Sequence, residues 1–233
     1  MLKIFKDIRG VEVFMSEKKD KNMKLFLPET DENRKKYLEK IGLELGNLVA
    51  SKLVHGGDVE IIKNTERSII DDVDGLLTNN PDFILSVTSA DCLPIFLFDP
   101  VKKVAGILHC GWRSVAKGII ENALGKMKNN FGSESENILV GIGPGIQSCH
   151  FEVEEDLIKN FSGCEGFIIN ENGGKYFDLT GLVKERLISN RIRPENIEID
   201  HRCSYCEKEL WSYRRDGKFE GEVQAGMGGI RLR

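Results

Sequence analysis

A mixed α/β fold, α+β in kind, with a mixed β-sheet core flanked by helices, is predicted for this 233-residue chain by three features. Short apolar runs of strand length alternate with longer segments whose apolar residues recur at helical spacing. Several strand-length runs follow one another too closely for pure βαβ crossovers. With 40% apolar residues the chain has enough material for a substantial core. Pro is scarce, no Pro/Ser-rich linker divides the chain and no internal repeat appears, so one domain over residues 1–233 is expected.

Residues 11–27 alternate loosely and suggest short strands. Thr30-Asp31-Glu32-Asn33 precedes apolar positions at helical spacing and reads as a helix start. Residues 59–62 read as a strand, and 71–80 (DDVDGLLTNN) as turn-rich. Residues 83–87, 93–98 and 104–109 (VAGILH) are strand candidates. Gly111-Trp112-Arg113-Ser114 opens a predicted helix over 115–131, with Ile119, Ile120, Ala123, Leu124 and Met127 on one side. A strand at 138–142 runs into the breaker Gly143-Pro144-Gly145. Residues 154–161 and 179–190 read as helices, 197–199 as a short strand, and the Gly-rich stretch 221–232 as a last strand.

Charge and hydropathy exclude some classes. The chain carries 33 basic and 37 acidic residues, a net charge of −4, with no global pull toward nucleic acid or an anionic membrane. No stretch reaches the ~18 apolar residues that span a bilayer. The start, MLKIFKDIRG, lacks the uninterrupted apolar core of a secretory leader, so a cytoplasmic protein is expected. There the six cysteines are better read as packing, catalytic or metal-binding residues than as disulfides.

Chemistry concentrates where apolar runs end. Of four histidines, His55 lies in Leu53-Val54-His55-Gly56-Gly57, and His109 closes the run VAGILH ahead of Cys110-Gly111-Trp112-Arg113. Cys92 lies between two apolar runs, beside Asp91. Strand ends followed by glycine turns are where α/β folds place reacting groups. Two His and one Cys are a known zinc set with an open fourth position. The same residues also read as a metal-free Cys–His nucleophile pair, or as buried residues satisfied in the core. Asp91, flanked by apolar residues, must bond to a turn amide, a cation or a ligand's surroundings. Arg113, one turn into a helix, and the pair Arg214-Arg215 in YRRD suit an anion such as phosphate. Gly141-Ile142-Gly143-Pro144-Gly145 lacks the Gly-Lys-Ser/Thr of a nucleotide-binding loop. Cys203-Ser204-Tyr205-Cys206 is half of a zinc ribbon without a second C-x-x-C.

Together the blocks LVHGGDV, DGLLTN, SVTSADCLPIFLFDP, ILHCGWRSVAKGII, GIGPGIQSCHFEVEEDL, YFDLTGLVKERL and LWSYRRDGKFEG, over about residues 30–232, resemble the YfiH or laccase-domain family. That family is also described as multicopper polyphenol oxidoreductase-like and as purine nucleoside phosphorylases of the FAMIN type. The resemblance implies a metal triad on His55, Cys92 and His109, holding zinc or, in older assignments, copper. It implies phosphorolysis of adenosine, inosine and methylthioadenosine, with hydrolytic deamination of adenosine. It also implies a fold similar to the catalytic domain of cytotoxic necrotizing factors. His55, Cys92, His109 and Asp91 are then the candidate catalytic residues, and Arg113, Arg214 and Arg215 the candidates for phosphate. The expected partners are a nucleoside and phosphate, not nucleic acid or a membrane. Two departures stand out: residues 11–27 (VEVFMSEKKDKNMKLFL) lack the family's Arg-x-Gly-Gly-Val-Ser segment, and Leu53-Val54 stands where Gln-Val is common. An amide or ester hydrolase with Cys92 as nucleophile and His109 as base is the alternative. A true laccase needs far more histidines than four.

Overall fold

The computed structural model describes residues 2–64, 68–161, 163, 165–171, 173–219 and 222–233. Along the chain, strand β1 (Val11–Met15) leads through a long connection, residues 16–27 with a 3₁₀ turn at Lys18–Asp20, to helix α1 (Pro28–Lys40). Seven strands follow: β2 (Leu48–Lys52), β3 (Val59–Ile61), β4 (Ile69–Asp71), β5 (Gly75–Thr78), β6 (Ile84–Ser89), β7 (Leu93–Asp99) and β8 (Val104–Cys110). Helices α2 (Trp112–Ala116) and α3 (Ile119–Phe131) precede β9 (Leu139–Ile142). Helix α4 (Glu155–Asn160), the hairpin β10 (Ile168–Glu171) and β11 (Gly174–Phe177), helix α5 (Leu179–Ser189) and β12 (Ile197–Ile199) come next. The chain closes with α6 (Tyr213–Asp216), β13 (Lys218–Phe219), β14 (Glu222–Val223) and β15 (Gly226–Leu232).

The strands form two main mixed sheets. One has the order β1-β15-β6-β2-β4 and the other β12-β9-β7-β8-β5-β3. They face each other across a core built from Val49, Leu85, Val87 and Ile230 on the first and Leu76, Phe96, Phe98 and Ile107 on the second. The second sheet's other face is covered by α3 and α5, whose Ile120, Ala123, Met127, Leu182 and Leu187 pack on Ile95, Leu97 and Leu108. Covered on both faces, β7 and β8 are buried at every position, which is why they read as continuous rather than alternating apolar runs. Helix α1 lays Tyr37 and Leu38 on Leu48, Ile84 and Met227 of the first sheet's outer face. The expected mixed core flanked by helices is the observed architecture.

Several boundaries differ from expectation. Helix α1 begins at Pro28, and Thr30 sits inside its first turn with its hydroxyl donating to the Leu27 carbonyl rather than capping. The helix expected over 115–131 is two helices, broken at Gly118, whose φ of +77° leaves the right-handed helical region. Gly75–Thr78, read as turn because Asp and Asn surround it, is the fully buried strand β5. Strand β2, in a Leu-Val-Ala-Ser-Lys stretch, was not foreseen. The last strand starts at Gly226; Gly221, its expected start, lies outside the described residues. Among the described residues no helix is long and apolar enough to cross a membrane.

Candidate functional site

Four neighbouring segments deliver the site. His109, the penultimate residue of strand β8, pairs across the ladder with Pro94 of β7. On the other side β8 pairs with β5, so the residue before β5, Asp74, falls beside His109; the His109 N–H donates to the Asp74 carbonyl at 2.7 Å. The β6–β7 turn presents Asp91, in the left-handed region at φ +88°, and then Cys92. The loop after β2 presents His55, also left-handed at φ +53°. Two non-glycine residues in a sparsely populated region at one spot are typical of functional sites.

His55, Cys92 and His109 each bring a ligand-type atom within 4.8 Å of the other two. Cys92 Sγ lies 3.9 Å from His55 Nε2, and the two imidazoles meet edge to face with centroids 4.8 Å apart. Close approach depends on Gly111: a Cβ there would stand 2.8 Å from Cys92 Sγ and 3.2 Å from His55 Cδ2.

Asp74 organises both histidines. Its fully buried carboxylate accepts His109 Nδ1–H at 2.9 Å. It also accepts the backbone N–H groups of Val54, His55 and Gly56 at 3.0, 3.0 and 2.7 Å. With Asp74 holding the proton on Nδ1, His109 turns Nε2 toward the cluster. Burial raises the Asp74 carboxyl, but His109 and the amides of Gly56 and Val54 outweigh it and hold the group below its ordinary value. Burial likewise pushes the Cys92 thiol up; His109 and His55 overcome it and bring the thiol down to about 6. The converse holds for His109: burial opposes its charge, yet Cys92 and Asp74 lift it to about 9. The pocket thus favours thiolate beside imidazolium, and Cys110, next in sequence but turned into the apolar core, is raised well above the ordinary thiol by burial.

This donor set fits a metal. Two imidazoles and a thiolate-prone sulfur, with a carboxylate behind one imidazole, are the ligand and outer-sphere chemistry of a zinc-class or copper ion with an open position. Replacing Asp74 by Asn keeps its size but removes the charge and turns an N–H₂ toward donors. The Asp74→Asn chain is expected to bind metal ~10–100-fold more weakly than wild type, as read by competition with a chromogenic chelator.

A cavity of about 680 Å³ lies over the triad, within the size range of small-molecule sites. Trp112, Phe151, Tyr213 and Phe26 supply aromatic wall, and Arg113 and Arg214 supply positive charge. The Arg113 guanidinium lies 4.2 Å over the Trp112 ring. Arg214 Nη2 donates to the Glu152 carbonyl at 2.9 Å. Asp91 faces neither His nor Cys directly: its carboxylate accepts the Ser204 hydroxyl at 2.6 Å and the Arg214 backbone N–H at 2.7 Å, latching the β6–β7 turn to α6. Lys24 and Phe26 line the cavity too, so the N-terminal segment without the glycine pair still forms part of the wall.

Arg215 departs from its expected role. Its guanidinium donates to the backbone carbonyls of Ser204, Tyr205, Glu207 and Leu210 and to the Asp216 carboxylate, away from the cavity. It is a loop cradle rather than a phosphate ligand. Arg215→Ala leaves four carbonyls without that donor and is expected to lower stability by roughly 3 kcal/mol, with Lys restoring little because it lacks the planar fork; chemical denaturation measures both.

Asp74 is the residue that sequence reasoning missed. The signal was present in Val73-Asp74-Gly75-Leu76-Leu77, an acid directly ahead of an apolar pair, but the flanking Asp and Asn residues masked the strand.

Comparison with known proteins follows the same lines. The family model described as "Multi-copper polyphenol oxidoreductase laccase" matches residues 28–228. A protein named purine nucleoside phosphorylase from Clostridium acetobutylicum is 32% identical over 179 residues, 71% of this chain and 75% of its own length. Purine nucleoside phosphorylase YlmD from Geobacillus stearothermophilus is 27% identical over 211 residues, covering 84% of this chain and 77% of that protein. Among solved structures, the hypothetical protein YfiH of Bacillus licheniformis superposes with a TM-score of 0.83 at 26% identity, over 91% of this chain and 85% of its own. The YlmD crystal structure gives a TM-score of 0.87 at 24% identity, over 96% and 92% of the two chains, a likeness of fold.

Proposed function

The chain belongs to the multi-copper polyphenol oxidoreductase laccase family, and from that membership we propose that it is a metal-dependent purine nucleoside phosphorylase. The observation that carries the reading is the cavity itself, which sets two guanidiniums and an aromatic wall over a His–Cys–His cluster. Relatives bearing the phosphorylase name support the same reading. The family's oxidase name fits less well. Of four histidines two sit in this triad, so a multicopper centre lacks its ligands.

Phosphate, a dianion at neutral pH, seats between Arg113 and Arg214, which offer planar bidentate donors. The nucleoside lies with its purine against the aromatic wall. A phosphate oxygen bonds to the ribose anomeric carbon as the bond to the purine nitrogen breaks; that electron pair leaves with the base, which takes up a proton. The products are free purine and ribose 1-phosphate. Asp91, tied to Ser204 and to the Arg214 amide, positions the arginine. His55, Cys92 and His109 would hold zinc or copper, which supplies a Lewis-acidic positive charge beside the reacting centre. The substrates proposed are inosine, adenosine and methylthioadenosine. Adenosine deamination, in which water displaces the 6-amino group as ammonia and leaves inosine, is proposed at the same cavity.

Inosine incubated with the protein should yield hypoxanthine only when phosphate is present. No hypoxanthine with enzyme at a concentration near that of the substrate overturns the phosphorylase reading for this substrate. One observation favours a second reading: Asp74, His109 and the thiolate-prone Cys92 stand in the order of an orienting acid, a base and a nucleophile. Iodoacetamide separates the two. A Cys92 bound to metal resists alkylation until a chelator is added, whereas a free nucleophile is alkylated at once.

A further inference from the structure

Four soft side chains that this chemistry leaves unused converge behind the cavity wall. Cys149 and His150 lie in the turn after β9, and Cys203 and Cys206 in the loop after β12. Cys149 Sγ is 3.9 Å from Cys206 Sγ, and His150 Nδ1 is 3.3 Å from each of those sulfurs. Cys203 completes the group, with all four ligand-type atoms within 4.8 Å of one another. Metal–sulfur bonds of about 2.3 Å arranged tetrahedrally set sulfurs ~3.8 Å apart, the spacing found here between Cys149 and Cys206.

We propose that Cys149, His150, Cys203 and Cys206 form a second metal site, structural rather than catalytic, which takes zinc. All four coordination positions are filled by protein and none is a carboxylate, the chemistry that selects zinc over magnesium or calcium and leaves no place for substrate. The backbone is ordered around it. Gly145 and Cys203 form a parallel bridge, and the Ser204 N–H donates to the Gly145 carbonyl at 3.0 Å. The Gln147 N–H points at Cys203 Sγ at 3.5 Å, a donor suited to a ligating thiolate. The His150 ring lies flat on Tyr205, centroids 4.0 Å apart at 16°, which fixes its orientation. A disulfide would join only two of the three sulfurs and needs them at ~2.05 Å; it would leave the third thiol and the imidazole with no role. This is why a single C-x-x-C sufficed: its partner is Cys149-His150, adjacent residues rather than a second C-x-x-C.

The site staples two parts of the cavity wall. The segment 143–151 carries Ile146 and Phe151 into the cavity. The loop after Cys203 carries Ser204, which holds Asp91, and runs on to Arg214. Bound zinc fixes one to the other outside the triad, through residues that hydrogen-bond to Asp91 beside Cys92.

Cobalt(II) as a spectroscopic probe tests this without reference to activity. The His55→Ala/Cys92→Ser chain, metal-free and with its thiols reduced, has only the second site. It is expected to bind one equivalent of cobalt with strong thiolate-to-cobalt charge transfer and the visible bands of a tetrahedral ion. Adding Cys206→Ser should remove stoichiometric binding, or cut the charge-transfer intensity by about a third as three thiolates become two. Absence of charge transfer in the two-residue variant, or a spectrum unchanged by Cys206→Ser, overturns the proposal. Native mass spectrometry of the unmutated, zinc-loaded chain gives an answer independent of any variant's folding: two ions per chain support the site, and one or none refutes it.

Discussion

Cys92→Ser is expected to lower kcat/KM for inosine phosphorolysis by at least about 10³-fold, on the order of 4 kcal/mol of transition-state stabilisation. The substitution changes one atom. It removes the softest donor of the triad, and with it the ligand that most favours zinc or copper over harder ions. It also removes the charge that lifts His109, so the remaining imidazoles lose their anionic partner. Shape is nearly conserved, and Gly111 already leaves room beside the sulfur, so the variant should fold with an unchanged far-ultraviolet spectrum. Metal content at the triad should fall with activity. A Ser variant that keeps wild-type turnover would show that Cys92 neither binds metal nor reacts.

Arg214→Ala is expected to raise the KM for phosphate by roughly 10–100-fold, the worth of a lost charge-assisted contact of about 1.5–3 kcal/mol, while the nucleoside KM changes little. The alanine keeps the backbone N–H that Asp91 accepts, so the latch between the β6–β7 turn and α6 persists and the loss reports the guanidinium alone. Arg113→Ala should act in the same direction. The two substitutions together should fall short of additivity if both guanidiniums grip one anion. Initial rates with each substrate varied in turn give the split. Equal rises in both KM values would mean that the arginines shape the whole cavity rather than the phosphate seat.

How much of this was legible depended on where the information lies. Strands β7 and β8 announced themselves because a sheet covered on both faces needs unbroken apolar runs, and the residues at their ends drew attention for the same reason. His55, Cys92 and His109 are therefore legible as candidates in the sequence. Their mutual approach within 4.8 Å is not, because it depends on loop conformations at positive φ that no local pattern announces. Asp74 escaped because a turn-like neighbourhood hides a strand whose burial comes from its partners β3 and β8. Arg214 and Arg215 are adjacent and chemically identical; only the packing of the 203–210 loop around one guanidinium separates a cavity residue from a structural one. Cys149 and Cys206 are 57 positions apart, a distance at which ligand spacing carries no signal unless the fold brings β9 and β12 side by side, as their parallel pairing does.

In the proposed reaction phosphate, not water, receives the ribose, and following the phosphorus distinguishes the two. Inosine is incubated with ³²P-labelled inorganic phosphate and the wild-type chain, beside His55→Ala/Cys92→Ser. Label is expected in ribose 1-phosphate in equal amount to the hypoxanthine released, and none from the variant. Hypoxanthine accompanied by unlabelled ribose would make the protein a hydrolase, and label transfer that survives loss of His55 and Cys92 would place the chemistry elsewhere in the molecule.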